Sequence, residues 1–154
     1  MTEIQLKDLA DNPKTFMSRG FWLHKGIGIK KERIEHWRAF AEDISVTLKE
    51  DGGIVGSGYK QSRIEKAVTN IVDLQQEILE DTENLIAAHK AIEYAIKVLL
   101  DDPAGQLVLE MRYLNYLPWA EIAFRLGWSY RHVQRTHKKS LQRFVQVILC
   151  PSGL

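Results

Sequence analysis

Apolar residues recur every three or four positions along most of the chain, and two-residue alternation is absent. That pattern predicts helices and excludes a sheet. Within residues 30–50, Ile34, Trp37, Ala41, Ile44 and Leu48 form one stripe, which Phe40 widens. From Ser62 to about Leu100, Ile64, Ile71, Ile78, Leu85, Ile92 and Leu99 fall every seven residues. The positions four after the first five are Val68, Gln75, Thr82, His89 and Ile96, a heptad-like seam with a polar middle. Val72, Leu74, Leu79 and Ile86 add a second apolar edge, and Asp73, Glu77, Glu80, Asp81 and Glu83 make the middle of this helix acidic.

Glycine and proline punctuate these stretches. Asp51-Gly-Gly-Ile-Val-Gly-Ser-Gly58 cannot be a helix interior, because each glycine costs about 1 kcal/mol there. It predicts an interhelical loop. A phosphate-binding P-loop is excluded, because Tyr59-Lys60-Gln61 stands where Gly-Lys-Ser/Thr is required. Residues 30–102 are therefore expected to form a long helical hairpin that serves oligomerisation. The first helix is expected to have half the length of the second, so the uncovered seam points to a homodimer. Residues 1–29 read as an irregular arm. Ile4, Leu6 and Leu9 suggest helical turns ending before Asn12-Pro13, while Gly20, Gly26 and Gly28 argue against a regular element.

Residues 103–154 carry the chemistry. Pro118-Trp-Ala-Glu-Ile-Ala-Phe-Arg-Leu126 suits a short helix, with Pro118 in its first turn. Gly127 suits a turn needing positive φ, and Ser129 an N-cap. A second helix begins at Tyr130. Ile122, Leu126, Val133, Leu141 and Phe144 face inward, and Ala123 is small where the two helices cross. This predicts a helix-turn-helix whose second helix enters the major groove of duplex DNA.

Charge sharpens that expectation. The 154 residues carry a net +1, but residues 1–105 hold 14 Lys/Arg against 18 Asp/Glu, for −4, and residues 106–154 hold 7 against 2, for +5. A basic segment on an acidic body fits nucleic acid. Arg131, Gln134 and Arg135 are expected to read bases, and Ser129 and Tyr130 to hold the helix start and a phosphate. Lys138, Lys139 and Arg143 are expected on the backbone, with His132 and His137 approaching phosphates.

Leu109-Glu-Met-Arg-Tyr-Leu-Asn-Tyr-Leu-Pro-Trp-Ala-Glu-Ile-Ala-Phe-Arg-Leu-Gly-Trp-Ser129, followed by Ser140-Leu-Gln-Arg-Phe144, resembles region 4 of bacterial sigma factors. The chain departs from that pattern at Leu117, where a turn residue is usual, and at Thr136, where an apolar one is. The layout of the whole chain resembles the ArpU/RinA-type regulators of phages and prophages of Gram-positive bacteria. That resemblance implies an all-α activator of late phage genes that binds double-stranded DNA and touches RNA polymerase. No counterpart of sigma region 2 is present, which excludes a self-sufficient sigma factor. Two alternatives remain: a DNA-packaging protein like a small terminase subunit, and an adaptor that occupies RNA polymerase.

Other chemistry is not indicated. His24, His36, His89, His132 and His137 are scattered, and Cys150 is the single cysteine. There is no nucleophile–base pair or carboxylate dyad, so no enzyme, metal or cofactor is expected. No apolar run is long enough to cross a membrane and no secretory signal is evident, so a cytoplasm is the expected location, which the resemblance implies is that of a bacterial host. His89 reads as a satisfied interior histidine. Trp119 and Trp128 read as core.

Overall fold

The structure is a computed structural model that describes residues 1–50 and 57–149, the side chains of residues 48–50, 57 and 99 excepted. Residues 51–56 of the expected loop, the seam side chain of Leu99 and Cys150 thus lie outside the described residues. The fold is all-α. Its elements are α1 (Glu3–Asp11), α2 (Pro13–Glu50), α3 (Ser57–Tyr94), a π turn (Ala95–Leu99), α4 (Pro103–Tyr113), α5 (Trp119–Leu126) and α6 (Tyr130–Leu149). Among the described residues no strand occurs, and no helix is long and apolar enough to cross a membrane.

The chain divides into two compact units. The first comprises residues 1–22 and 85–154, the second residues 23–84. The boundary expected at residue 103 is therefore corrected: the C-terminal helices share their unit with both α1 and the end of α3.

The expected irregular arm over residues 1–29 is also corrected, because α1 and the first part of α2 occupy it. Local chemistry explains both helix starts. Thr2 and Gln5 form a reciprocal capping box on α1. α1 stops at Asp11, before the Asn12-Pro13 pair, as the proline rule requires. Asn12 Oδ1 then accepts from the Thr15 N–H (3.1 Å), capping α2. Leu9, Phe16 and Met17 are buried in the first unit's core. Burying each stabilises by about 1.5–3 kcal/mol, which outweighs the cost of helical glycines at about 1 kcal/mol each.

That core gathers Leu9, Phe16 and Met17 with Ile92, Ala95 and Ile96, and with Leu100, Leu109, Tyr113 and Phe144. Elements separated by up to 135 positions in the chain thus close on one cluster. α4 and α6 approach closely where Gly105 faces Ser140. A Cβ on Gly105 would lie 2.2 Å from the Ser140 Oγ and 2.8 Å from an Asp102 carboxylate oxygen. Ser140 is fully buried, and its hydroxyl donates to the Thr136 carbonyl (2.9 Å). Gly105→Ala is therefore expected to lower folding stability by about 2 kcal/mol, as overpacked cores do. Chemical denaturation checks this, and adding Ser140→Ala should recover part of the loss.

In the second unit α2 and α3 pair antiparallel, as the expected hairpin requires. Lys30 bridges Glu77 (2.9 Å) and Asp81 (2.7 Å), while the Arg63 guanidinium lies 4.9 Å over the Phe40 ring. Hydrogen bonds to Asp81 first, then Glu77, raise the Lys30 pKa. Ile27, Ile34 and Ile44 of α2 are buried with Ala67 and Leu74 of α3.

Two expectations change here. The seam's second column on α3 lies three residues after Ile64 and Ile71, at Ala67 and Leu74, not four after. Val68 and Gln75 are exposed. Small Ala67 lets the helices approach, and of the polar column Gln75 turns outward while Thr82 is half-buried. Further, α2 and α3 have 38 residues each, so the length mismatch behind the expected second copy is absent. α2 begins earlier than expected, and α3 begins at Ser57 with Gly58 inside it.

Candidate nucleic-acid interface

α4, α5 and α6 meet around a second, smaller cluster of Val108, Ile122, Ala123 and Val133. Met111, Leu117, Trp119, Leu126 and Trp128 pack on it. The two tryptophans thus add core, as their bulk suggested. Leu117, where the sigma pattern usually has a turn residue, does the same.

The turn between α5 and α6 follows from three residues. Gly127 adopts φ +64°, which a Cβ disfavours. The Trp128 N–H reaches the Ala123 carbonyl (3.0 Å) and the Gly127 N–H the Phe124 carbonyl (3.2 Å), a Schellman closure of α5. Ser129 Oγ then accepts from the His132 N–H (3.2 Å), capping α6. Glycine turn and serine cap stand where the sequence put them. Pro118 precedes α5 in an extended conformation (φ −67°, ψ 153°), one step outside the expected first turn.

α6 shows one face to the core and the other to solvent. Val133, His137, Ser140 and Phe144 are buried. Ser129, Tyr130, Arg131, His132, Arg135, Lys138 and Lys139 are exposed, and Gln134 and Arg143 are half-buried. Seven of the residues expected at DNA fall on two flanks of the outer half of α6. Arg131, Gln134, Arg135 and Lys138 line one groove. His132, Lys139 and Arg143 lie on the other flank, where His132 packs edge-on against Trp128 (4.5 Å). Arg143 donates to the Asp101 carbonyl (3.1 Å), which commits it in part to the fold.

His137 departs from expectation. It is only 7% exposed and cannot approach a phosphate. Its Nε2 and the Tyr113 hydroxyl are joined by a 2.7 Å hydrogen bond, and Trp119 meets its ring edge-on at 4.7 Å. These contacts tie α4, α5 and α6 together and set how α6 is presented. Burial first, then the positive charges of Lys14 and Arg112, push the His137 pKa down to about 4. Burial also pushes Tyr113 up to about 12. His89 is half-buried and hydrogen-bonded to Tyr116, in keeping with the interior role expected of it.

Sequence reasoning missed two cations of the groove. Arg112, on α4, donates to the Leu117 carbonyl (3.0 Å) and lies 4.5 Å over the Trp119 ring. Lys14, on the first turn of α2, lines the same groove from the other side. Arg112 was legible only as one more basic residue, and nothing local marks Lys14, which lies more than 110 positions from α6. Compared with protein-family profiles, curated proteins and solved structures, the chain matches none of them.

Proposed function

We propose that the chain is a DNA-binding transcription regulator whose α6 enters the major groove of duplex DNA. One observation carries the reading: Arg131, Gln134, Arg135 and Lys138 share a solvent-facing flank at the start of the second helix of a helix-turn-helix. In that position a recognition helix meets base edges. Arg and Gln can contact bases bidentately, and Lys neutralises phosphate. Among the described residues no ion pair engages any of these cations. The resemblance to sigma region 4 and to ArpU/RinA-type regulators supports activation of phage genes in a bacterial cytoplasm.

The test is an equilibrium titration at two salt concentrations, with duplexes tiled from the DNA flanking the gene. Tight binding to one tile that weakens steeply with salt is expected. No binding to any tile at low salt would overturn the reading.

A homodimer belongs to this reading, because paired half-sites suit a two-fold protein. Val68, Val72 and Leu79 are at least half exposed along α3 and offer a face for a second copy. A monomer mass at micromolar concentration would remove it. One observation favours the adaptor as the second reading: Phe124 on α5 is 83% exposed, an apolar contact suited to a protein such as RNA polymerase. Polymerase binding without DNA binding would select it.

A further inference from the structure

The groove beside α6 has a volume of about 900 Å³ and draws its cations from three helices. Lys14 comes from α2, Arg112 from α4, and Arg131, Arg135 and Lys138 from α6. No carboxylate lines it. Several cations elsewhere are held by carboxylates. Arg19 is paired with Asp8, Lys30 with Glu77 and Asp81, Arg38 with Glu35, Lys97 with Glu93, and Arg125 with Glu121. Among the described residues, no ion pair engages the five cations of the groove. Five like charges gathered in one concavity repel one another and focus a positive potential into it. An anion bound in the groove would relieve that repulsion. Lys14 also sits close enough to the helix-turn-helix interior to act on His137, as Arg112 does.

We propose that a backbone phosphate of the bound duplex seats in this groove, with Lys14 on the first turn of α2 and Arg112 on α4 closing over it opposite α6. The inference rests on the DNA-binding reading and extends the interface to a helix that no helix-turn-helix pattern contains. A phosphodiester fits the chemistry: it is a compact anion that takes point charge from lysine and forked contacts from arginine. The Arg112 guanidinium is held in place by the Leu117 carbonyl and the Trp119 face, so it is preorganised for such a contact.

The experiment measures duplex affinity against salt for the full chain and for Lys14→Gln. The exposed Lys7→Gln on α1 serves as control for loss of one charge at a residue that does not line the groove. The probe is a random-sequence duplex of about 20 base pairs, because phosphate contacts do not depend on sequence. Lys14→Gln is expected to weaken binding several-fold at low salt and to reduce the slope of log K against log salt by about 1. Lys7→Gln should leave both unchanged. Lys14 is exposed and its side chain supports no described packing, so the variant should fold as the parent does, which its unfolding transition will verify.

A second arm locates the charge. Methylphosphonate linkages, which are neutral, are placed singly along the tile that binds most tightly, where the register is fixed. At one linkage the parent should lose affinity while Lys14→Gln loses nothing further. Additive losses at every linkage would overturn the seated phosphate. So would parental affinity and slope in Lys14→Gln, and if Arg131→Ala still weakened binding, the DNA-binding reading would survive alone. No duplex binding by the parent at low salt would overturn both. Competition by inorganic phosphate at millimolar concentration, without duplex binding, would assign the groove to a free anion and overturn the proposal.

Discussion

Acidification from pH 7 to pH 4 should cost the parent chain about 3 kcal/mol more folding stability than it costs a His137→Gln variant. The unfolded histidine titrates near its ordinary value of 6.5, whereas in the fold it is held neutral down to about 4. Above pH 6.5 both states bind no proton, and His137 adds no pH dependence. Between 6.5 and 4 the unfolded chain takes up the proton and the folded chain does not, so stability falls as pH falls. Below 4 both are protonated and the loss is complete. The cause is geometric: His137 is enclosed by Tyr113 and Trp119, with Lys14 and Arg112 adding positive charge nearby. Chemical denaturation of parent and variant at several pH values gives the difference directly, because the carboxylates that also titrate are common to both. A flat difference between pH 7 and 4 would mean that His137 is hydrated in the fold. Since His137 anchors α6 against α4 and α5, the same titration should loosen the presentation of the outer face of α6.

Arg131→Ala and Arg135→Ala should each weaken binding to the preferred duplex by about 1–3 kcal/mol, and each should relax discrimination at one base position. Together the losses should come close to adding if the two guanidiniums contact different bases. Lys138→Ala should behave differently. As a phosphate contact it should weaken all duplexes alike and lower the salt slope by about 1. Titrations against the preferred duplex, single-base variants of it and a random duplex separate the two behaviours. Equal losses on every duplex for the arginine variants would move Arg131 and Arg135 to the backbone class. Unchanged affinity in both would remove α6 from the interface.

The sequence by itself determined whatever depends on near neighbours in the chain. Heptad and three-four spacing made α2 and α3 helices, because burial of one stripe requires only that period. Gly127 and Ser129 declared the turn and the start of α6, because positive φ and N-capping are local demands. Val133 and Phe144 declared their burial, and Arg131 and Arg135 their exposure, by position on one helix. The helical character of residues 1–29 was hidden, because Gly20, Gly26 and Gly28 lower propensity locally while the compensating burial of Leu9, Phe16 and Met17 comes from distant α3, α4 and α6.

Tertiary structure decided the rest. It chose Ala67 and Leu74 over Val68 and Gln75 for the seam, since close approach to α2 favours a small residue over a polar column. It buried His137, because Tyr113 and Trp119 from two other helices supply the hydrogen bond and the ring contact that a polar side chain needs in a core. It brought Lys14 beside α6. A groove charged from three helices has no sequence signature, because its electrostatics arise from charges that are neighbours only in space.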